Sequence, residues 1–203
     1  MKIAVLGAGH VGLVTAVTLA KLGREITVFD ADPSKNELLR QSKPPFHEPG
    51  LDELVVEQTA LGNLVVAQSA ADAIARSDVV FVCVGTPARA DGATNLAAVE
   101  ATTRSIARGA QTGTVVAEKS TVPAGTAERI AQTLARERPG TEFHVVSNPE
   151  FLREGSAVAD SLSPERILIG GSTLRGSRQC AASMRRSSSR AFPTSRPTYG
   201  QPS

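Results

Sequence analysis

Gly7, Gly9 and Gly12 stand at G-x-G-x-x-G spacing, and Asp30 follows eighteen residues after the last of them. The glycines sit between Lys2-Ile3-Ala4-Val5-Leu6, a run of strand character, and residues 13–22, which read as a helix closed by Gly23. In that setting each glycine has its own physical task. Gly7 permits a tight turn. Gly9 has no side chain, so a pyrophosphate can approach the backbone. Gly12 lets helix and strand pack closely. The helix N-terminus adds free N–H groups and the positive end of a dipole. Asp30 closes a second strand-like run, Glu25 to Asp30, where a carboxylate can accept hydrogen bonds from an adenosine ribose. The competing explanation is a glycine-rich turn in an unrelated fold, which gives no reason for an acid at the end of the next strand.

Three more polar residues follow strand-like runs: Thr86 after Val79–Val84, Thr121 after Thr114–Lys119, and Glu150 after Glu142–Val146. Strand and helix alternate for about 170 residues, which implies a parallel sheet covered on both faces, α/β and doubly wound. Helices are expected over 34–41, 51–60, 70–76, 96–108 and 126–138. A short strand is expected at 64–67 and a last one at 166–170. Residues 42–50 hold three prolines in nine positions and read as a rigid loop. In such sheets ligands bind beyond the carboxyl ends of the strands, so Asp30, Thr86, Thr121 and Glu150 converge on one rim. Glu150 reads as a catalytic acid or base, or else as a helix-start acid. Thr121 reads as a site residue, as the N-cap of the next helix, or as both.

The 203 residues suffice for one sizeable core, or for one domain plus a piece of another. A hydrophobic content of 41% is ordinary for a soluble domain, and no apolar run reaches membrane-spanning length. Met1-Lys2 leads directly into a strand with no signal peptide, so a cytoplasmic location is expected. Cys83 and Cys180 lack metal or redox spacing, and His10, His47 and His144 lack ligand spacing; no metal site is expected. Residues 1–174 hold 16 basic and 20 acidic side chains, whereas six arginines and no acid follow. The slight net basicity therefore belongs to the tail and does not describe a partner of the folded part.

The chain resembles the UDP-glucose 6-dehydrogenase family of nucleotide-sugar dehydrogenases. The resemblance rests on Gly7-Ala8-Gly9-His10-Val11-Gly12-Leu13, Phe46-His47-Glu48-Pro49-Gly50-Leu51, Val84-Gly85-Thr86-Pro87, residues 119–126 (KSTVPAGT) and residues 147–155 (SNPEFLREG). It spans roughly residues 1–171. It implies an NAD-dependent, two-step oxidation of a sugar primary alcohol to a carboxylic acid, with the aldehyde held on a cysteine as a thiohemiacetal. By this resemblance Gly7, Gly9, Val11 and Gly12 match the pyrophosphate turn, and Asp30 and Lys35 match the adenosine-ribose contacts. Thr86 and Thr121 match residues lining the nicotinamide side, and Glu150 a general base or water organiser. Phe151, Leu152 and Glu154 match the boundary between sugar nucleotide and cofactor. An acid at 30 without an adjacent arginine favours NAD over NADP. UDP-glucose is the expected substrate, GDP-mannose the runner-up, and a non-catalytic NAD-binding remnant the alternative from another class.

The chain also departs from the family pattern. The nucleophilic cysteine, its lysine and asparagine partners, and the helix and second domain that build the family's homodimer lie further downstream than this sequence runs. Cys83 reads as a small buried residue within a strand. Residues 175–203 hold seven serines and six arginines without hydrophobic periodicity, which predicts a disordered basic tail after a domain of residues 1–174. One reading of the tail is the product of a shifted reading frame in a shortened gene, preferred because the change is sharp. The other is a natural basic arm for nucleic acid or phosphates.

Overall fold

Val79–Val82 forms strand β4, a four-residue apolar run buried on both faces at the middle of the sheet. In the computed structural model, which describes residues 1–171 and 173–185, the other strands are β1 (Lys2–Leu6), β2 (Glu25–Phe29), β3 (Leu64–Val66), β5 (Val115–Glu118), β6 (His144–Ser147) and β7 (Gly170–Gly171). Their order is β3-β2-β1-β4-β5-β6-β7. Every pairing is parallel except that of β6 with β7. The register sets Leu6 between Phe29 and Val82, and Glu118 between Val82 and Ser147, so strand ends share one rim.

Helices cover both faces, which is why central strands such as Val79-Val80-Phe81-Val82 need no polar alternation. Helix α1 (His10–Lys21) and α3 (Leu51–Ala60) pack with Ile3, Val5 and Phe81 on one side, together with α7 (Ala157–Leu162) and α8 (Leu174–Ser183). On the other side α4 (Ala70–Ile74), α5 (Ala97–Gly109) and α6 (Thr126–Glu137) enclose Ala4, Val80, Val82 and Val116. Helix α2 (Pro33–Arg40) begins where Asp32 accepts the Ser34 N–H and Pro33 supplies a preset φ. The doubly wound, mostly parallel architecture is therefore present.

Most expected elements end within one or two residues of the observed ones, and two differences from the sequence reading go further. Of the strand expected at 166–170, only Gly170 pairs, together with Gly171, and it runs antiparallel to β6. The Leu168 carbonyl instead accepts from the Asn148 side chain at 2.8 Å. The domain also does not stop at 174: Leu174–Ser183 is helical, capped by Thr173, with Cys180 and Ala181 buried. Its packing face is made of small residues rather than bulky ones. A Cβ at Gly176 would stand 2.8 Å from the His144 Cβ, so glycine there allows the close approach to β6. Arg24 completes the helix by donating to the carbonyls of Ala182, Ser183 and Arg185. Ser/Arg composition concealed this helix because periodicity arguments weigh large apolar side chains. The rest of the expected tail, 186–203, lies outside the described residues.

Candidate functional site

The turn after β1 is shaped by what cannot fit there. Gly7 has φ +104°, and a Cβ on it would overlap the Cys83 carbonyl at the end of β4. A Cβ on Gly12 would overlap the Gly7 carbonyl oxygen, so α1 can rest on the turn only with glycine at that position. A Cβ on Gly9 would meet nothing within 4 Å. Two glycines are thus required by the protein's own packing, and the third leaves a backbone face open at the N-terminus of α1. Val11 follows on the first turn of the helix, partly buried, with its carbonyl accepting from Thr15 Oγ1 at 2.6 Å.

Asp30 joins β2 to this turn. Its Oδ2 accepts the Ala8 N–H at 2.6 Å and lies 3.5 Å from Lys35 Nζ, while Oδ1 accepts the Asp32 N–H at 2.9 Å. Asn36 holds the main chain of Asp30 from the other side. A carboxylate offers about four acceptor positions. With two backbone donors and, more distantly, the Lys35 ammonium engaged, acceptor capacity remains for a further donor such as a ribose hydroxyl.

At the next strand ends, Thr86 Oγ1 donates to the Thr121 carbonyl at 2.8 Å, tying the loop after β4 to the loop after β5. Thr121 is not the N-cap of α6; that position belongs to Gly125, in the left-handed region at φ 83°. Beneath these loops Glu118 is buried. Its Oε1 accepts the Ser120 N–H at 2.9 Å and its Oε2 has no hydrogen-bond partner. Burial pushes this carboxyl up to about 7, against the opposing pull of Ser120 and the Lys119 charge.

Glu150 does not begin a helix, since α7 starts at Ala157; its Oε2 accepts the Leu152 N–H. Glu150, Phe151 and Leu152 line a cavity of about 310 Å³, whereas Thr121 and Glu154 are not among its lining residues. The cavity is closed by Thr15, Thr18 and Leu19 of α1, by residues 163–167, and by Met184 after α8. Phe151 is half exposed, with the Arg166 guanidinium 4.4 Å above its ring. Lys119 and Asn148 also reach this cavity, joined by an Nζ–Oδ1 hydrogen bond of 3.3 Å. Burial holds the Lys119 ammonium below its usual range, opposed by Cys83, Cys180, Glu150 and Glu118 around it. The sequence reading did not single out Lys119 as a site residue. A lysine closing an otherwise buried strand was the signal available for it.

Neither cysteine is a ready nucleophile. Cys83 is 7% exposed and Cys180 fully buried, and burial pushes each thiol up to about 12. Among the described residues there is no cluster of His, Cys, Asp and Glu able to hold a metal ion, and no helix long and apolar enough to cross a membrane.

A parallel sheet of this strand order, with an open glycine turn beside an acid at the end of the second strand, defines a dinucleotide-binding domain. The UDP-glucose/GDP-mannose dehydrogenase family, NAD binding domain, matches residues 1–186. The chain belongs to that family, and its cofactor is NAD. It is 46% identical over 171 residues to a UDP-glucose 6-dehydrogenase of Rhizobium meliloti (strain 1021), covering 84% of this chain and 39% of that protein. A UDP-glucose 6-dehydrogenase of Pseudomonas aeruginosa is 40% identical, with 86% and 41% covered. Among solved structures, a UDP-glucose dehydrogenase from Pyrobaculum islandicum superposes with TM-score 0.86 at 42% identity, covering 90% of this chain and 43% of that one. A GDP-mannose dehydrogenase from Pseudomonas aeruginosa gives 0.85 at 32% identity, covering 90% and 44%. The chain spans about two fifths of the length of the curated relatives it matches.

Proposed function

We propose that this chain is the cofactor-binding portion, with part of the sugar-binding wall, of an NAD-dependent UDP-glucose 6-dehydrogenase. The observation that carries the reading is the open backbone at Gly9, set against a doubly anchored Asp30 on the rim that also bears Glu150. In this reading Gly7, Gly9, Val11 and Gly12 receive the pyrophosphate, and Asp30 and Lys35 hold the adenosine ribose. Thr86 and Thr121 fix the nicotinamide side through their mutual hydrogen bond. When bound, NAD supplies the hydride acceptor for oxidation of the sugar's primary alcohol. Glu150 takes a proton or orients water, with Lys119 as the nearby cation. Phe151, Leu152 and Glu154 stand between sugar nucleotide and cofactor. UDP-glucose is preferred over GDP-mannose because the relatives at 46% and 40% identity are UDP-glucose 6-dehydrogenases, against 32% for the GDP-mannose enzyme.

A second reading, dinucleotide binding without turnover by these residues alone, is favoured by the state of the thiols. A thiolate is needed to hold the aldehyde, and neither Cys83 nor Cys180 provides one. Calorimetric titration with NAD and NADP, beside an NADH-forming assay with UDP-glucose and GDP-mannose, tests both. NAD binding with preference over NADP and no steady NADH production is the expected pattern. Sustained formation of two NADH per UDP-glucose by the 203-residue chain would refute the second reading, and failure to bind NAD would refute both.

A further inference from the structure

The loop between α2 and α3 carries a buried carboxylate whose partners come from two other parts of the chain. Glu48 is 1% exposed. Its Oε1 accepts the Ala157 N–H at 2.8 Å, and its Oε2 accepts the Gly155 N–H at 2.9 Å. The same Oε2 lies 3.3 Å from His10 Nε2, at ion-pair distance but not aligned as a hydrogen bond. The His10 ring stacks on Phe46, with centroids 5.1 Å apart and planes 29° apart. His10 is the first residue of α1, directly behind the open backbone of Gly9. Gly155 and Ala157 end the segment that bears Glu150, Phe151 and Leu152.

A carboxylate removed from water is costly unless its oxygens are satisfied. Here they are satisfied by two backbone donors of one segment, and the imidazole of another element stands against them. Residues 148–153 have no regular structure, and Arg153, though paired with Asp160 at 2.8 Å, is largely exposed, so Glu48 is what ties this segment to the α2–α3 loop and the turn. If Glu48 moves, the two N–H groups lose their acceptor; if His10 moves, Glu48 loses its neighbour on the turn. We propose that Glu48, acting through His10, is a positioning residue that couples the dinucleotide turn to the segment 150–157. Occupation of the turn thereby orders the residues at the sugar side. This inference rests on the NAD-binding reading above.

Limited trypsin digestion of the full 203-residue chain tests it, with cleavage at Arg153–Glu154 read by mass spectrometry with and without saturating NAD. NAD is expected to slow that cleavage at least about fivefold, the lower end of ordinary coupling between sites. In His10→Ala and Glu48→Gln the ratio falls to about one. Because linkage is reciprocal, NAD binds the ordered form of the segment more tightly than the disordered form by that same factor, so its dissociation constant rises in both variants, by no more than the protection lost. His10→Gln, whose amide can still reach Glu48, restores part of both effects. A purely structural Glu48 would lower the urea midpoint and leave the NAD-dependent ratio unchanged. Should Glu48→Gln fail to fold, His10→Ala decides. Binding of NAD without protection of Arg153–Glu154 in the unmutated chain overturns the proposal, as does protection that persists undiminished in His10→Ala. No binding of NAD overturns the underlying reading and this proposal together.

Discussion

Replacing Asp30 by alanine separates what the acid does for the protein from what it does for the cofactor. In the free protein the substitution removes a carboxylate that accepts from Ala8 at 2.6 Å and from Asp32 at 2.9 Å. The Ala8 N–H bond is buried, and an orphaned buried donor costs about 1–3 kcal/mol. The Asp32 N–H is only partly buried and can turn to water. Unfolding in urea without ligand should therefore give a stability lower by about 1–3 kcal/mol. The acceptor capacity left over for the ribose is lost as well, which should weaken NAD by about 1–3 kcal/mol, 5- to 150-fold in affinity. Calorimetry under conditions where the variant is still folded measures this second loss alone. Loss of stability with NAD affinity changed less than twofold would mean that Asp30 only fastens the turn. Equal binding of NAD and NADP by the unmutated chain would remove the argument from charge altogether.

The glycines give a sharp contrast. Gly9→Ala should fold with nearly unchanged urea stability, since nothing lies within 4 Å of the new methyl group, yet lose NAD binding at least tenfold. Gly12→Ala should lose both, because its methyl would overlap the Gly7 carbonyl oxygen; normal stability in that variant would refute the packing argument. Glu118 makes stability depend on pH. Its folded carboxyl titrates at about 7 against an ordinary 4.5, so between those values the folded chain keeps a proton that the unfolded chain has released. Stability therefore falls as pH rises through this window and is level on either side. Glu118→Gln, which keeps an acceptor for Ser120, should match the parent near pH 4 and exceed it by up to about 3 kcal/mol at pH 8. Urea midpoints at pH 4, 6 and 8 read the gap, and a gap that does not widen would refute the assignment.

The glycine turn was legible because its constraints are those of the backbone, and spacing alone reveals them. Asp30 was legible for the same reason, since a strand end must follow the helix at a nearly fixed distance. The cavity beside Glu150 was not. Its walls are Thr15 and Thr18, which read as interior helix residues, and Lys119, which reads as the last residue of a strand. Which side chains meet there depends on how α1 and residues 163–167 lie against the end of β6. Glu48 was visible as part of a matching motif in a proline-rich loop but without a role, since its partners Gly155 and Ala157 stand 107 and 109 residues away. Helix α8 was hidden because glycine, alanine and cysteine form its buried face.

The position of β1 inside the sheet, between β2 and β4, bears on how the protein comes into being. This strand leaves the ribosome before both of its neighbours, and β2 can join it soon afterwards. Its other neighbour, β4, starts about fifty residues after the end of β2, a delay of roughly 3–10 s at ordinary rates of synthesis. During that time Ile3, Ala4, Val5 and Leu6, fully or almost fully buried in the finished protein, present one unpaired edge to the cell. The glycine turn, whose Gly7 is shaped by the end of β4, cannot reach its final form until the same moment. A nascent chain halted before residue 79 should therefore be unable to bind NAD and prone to associate through that edge.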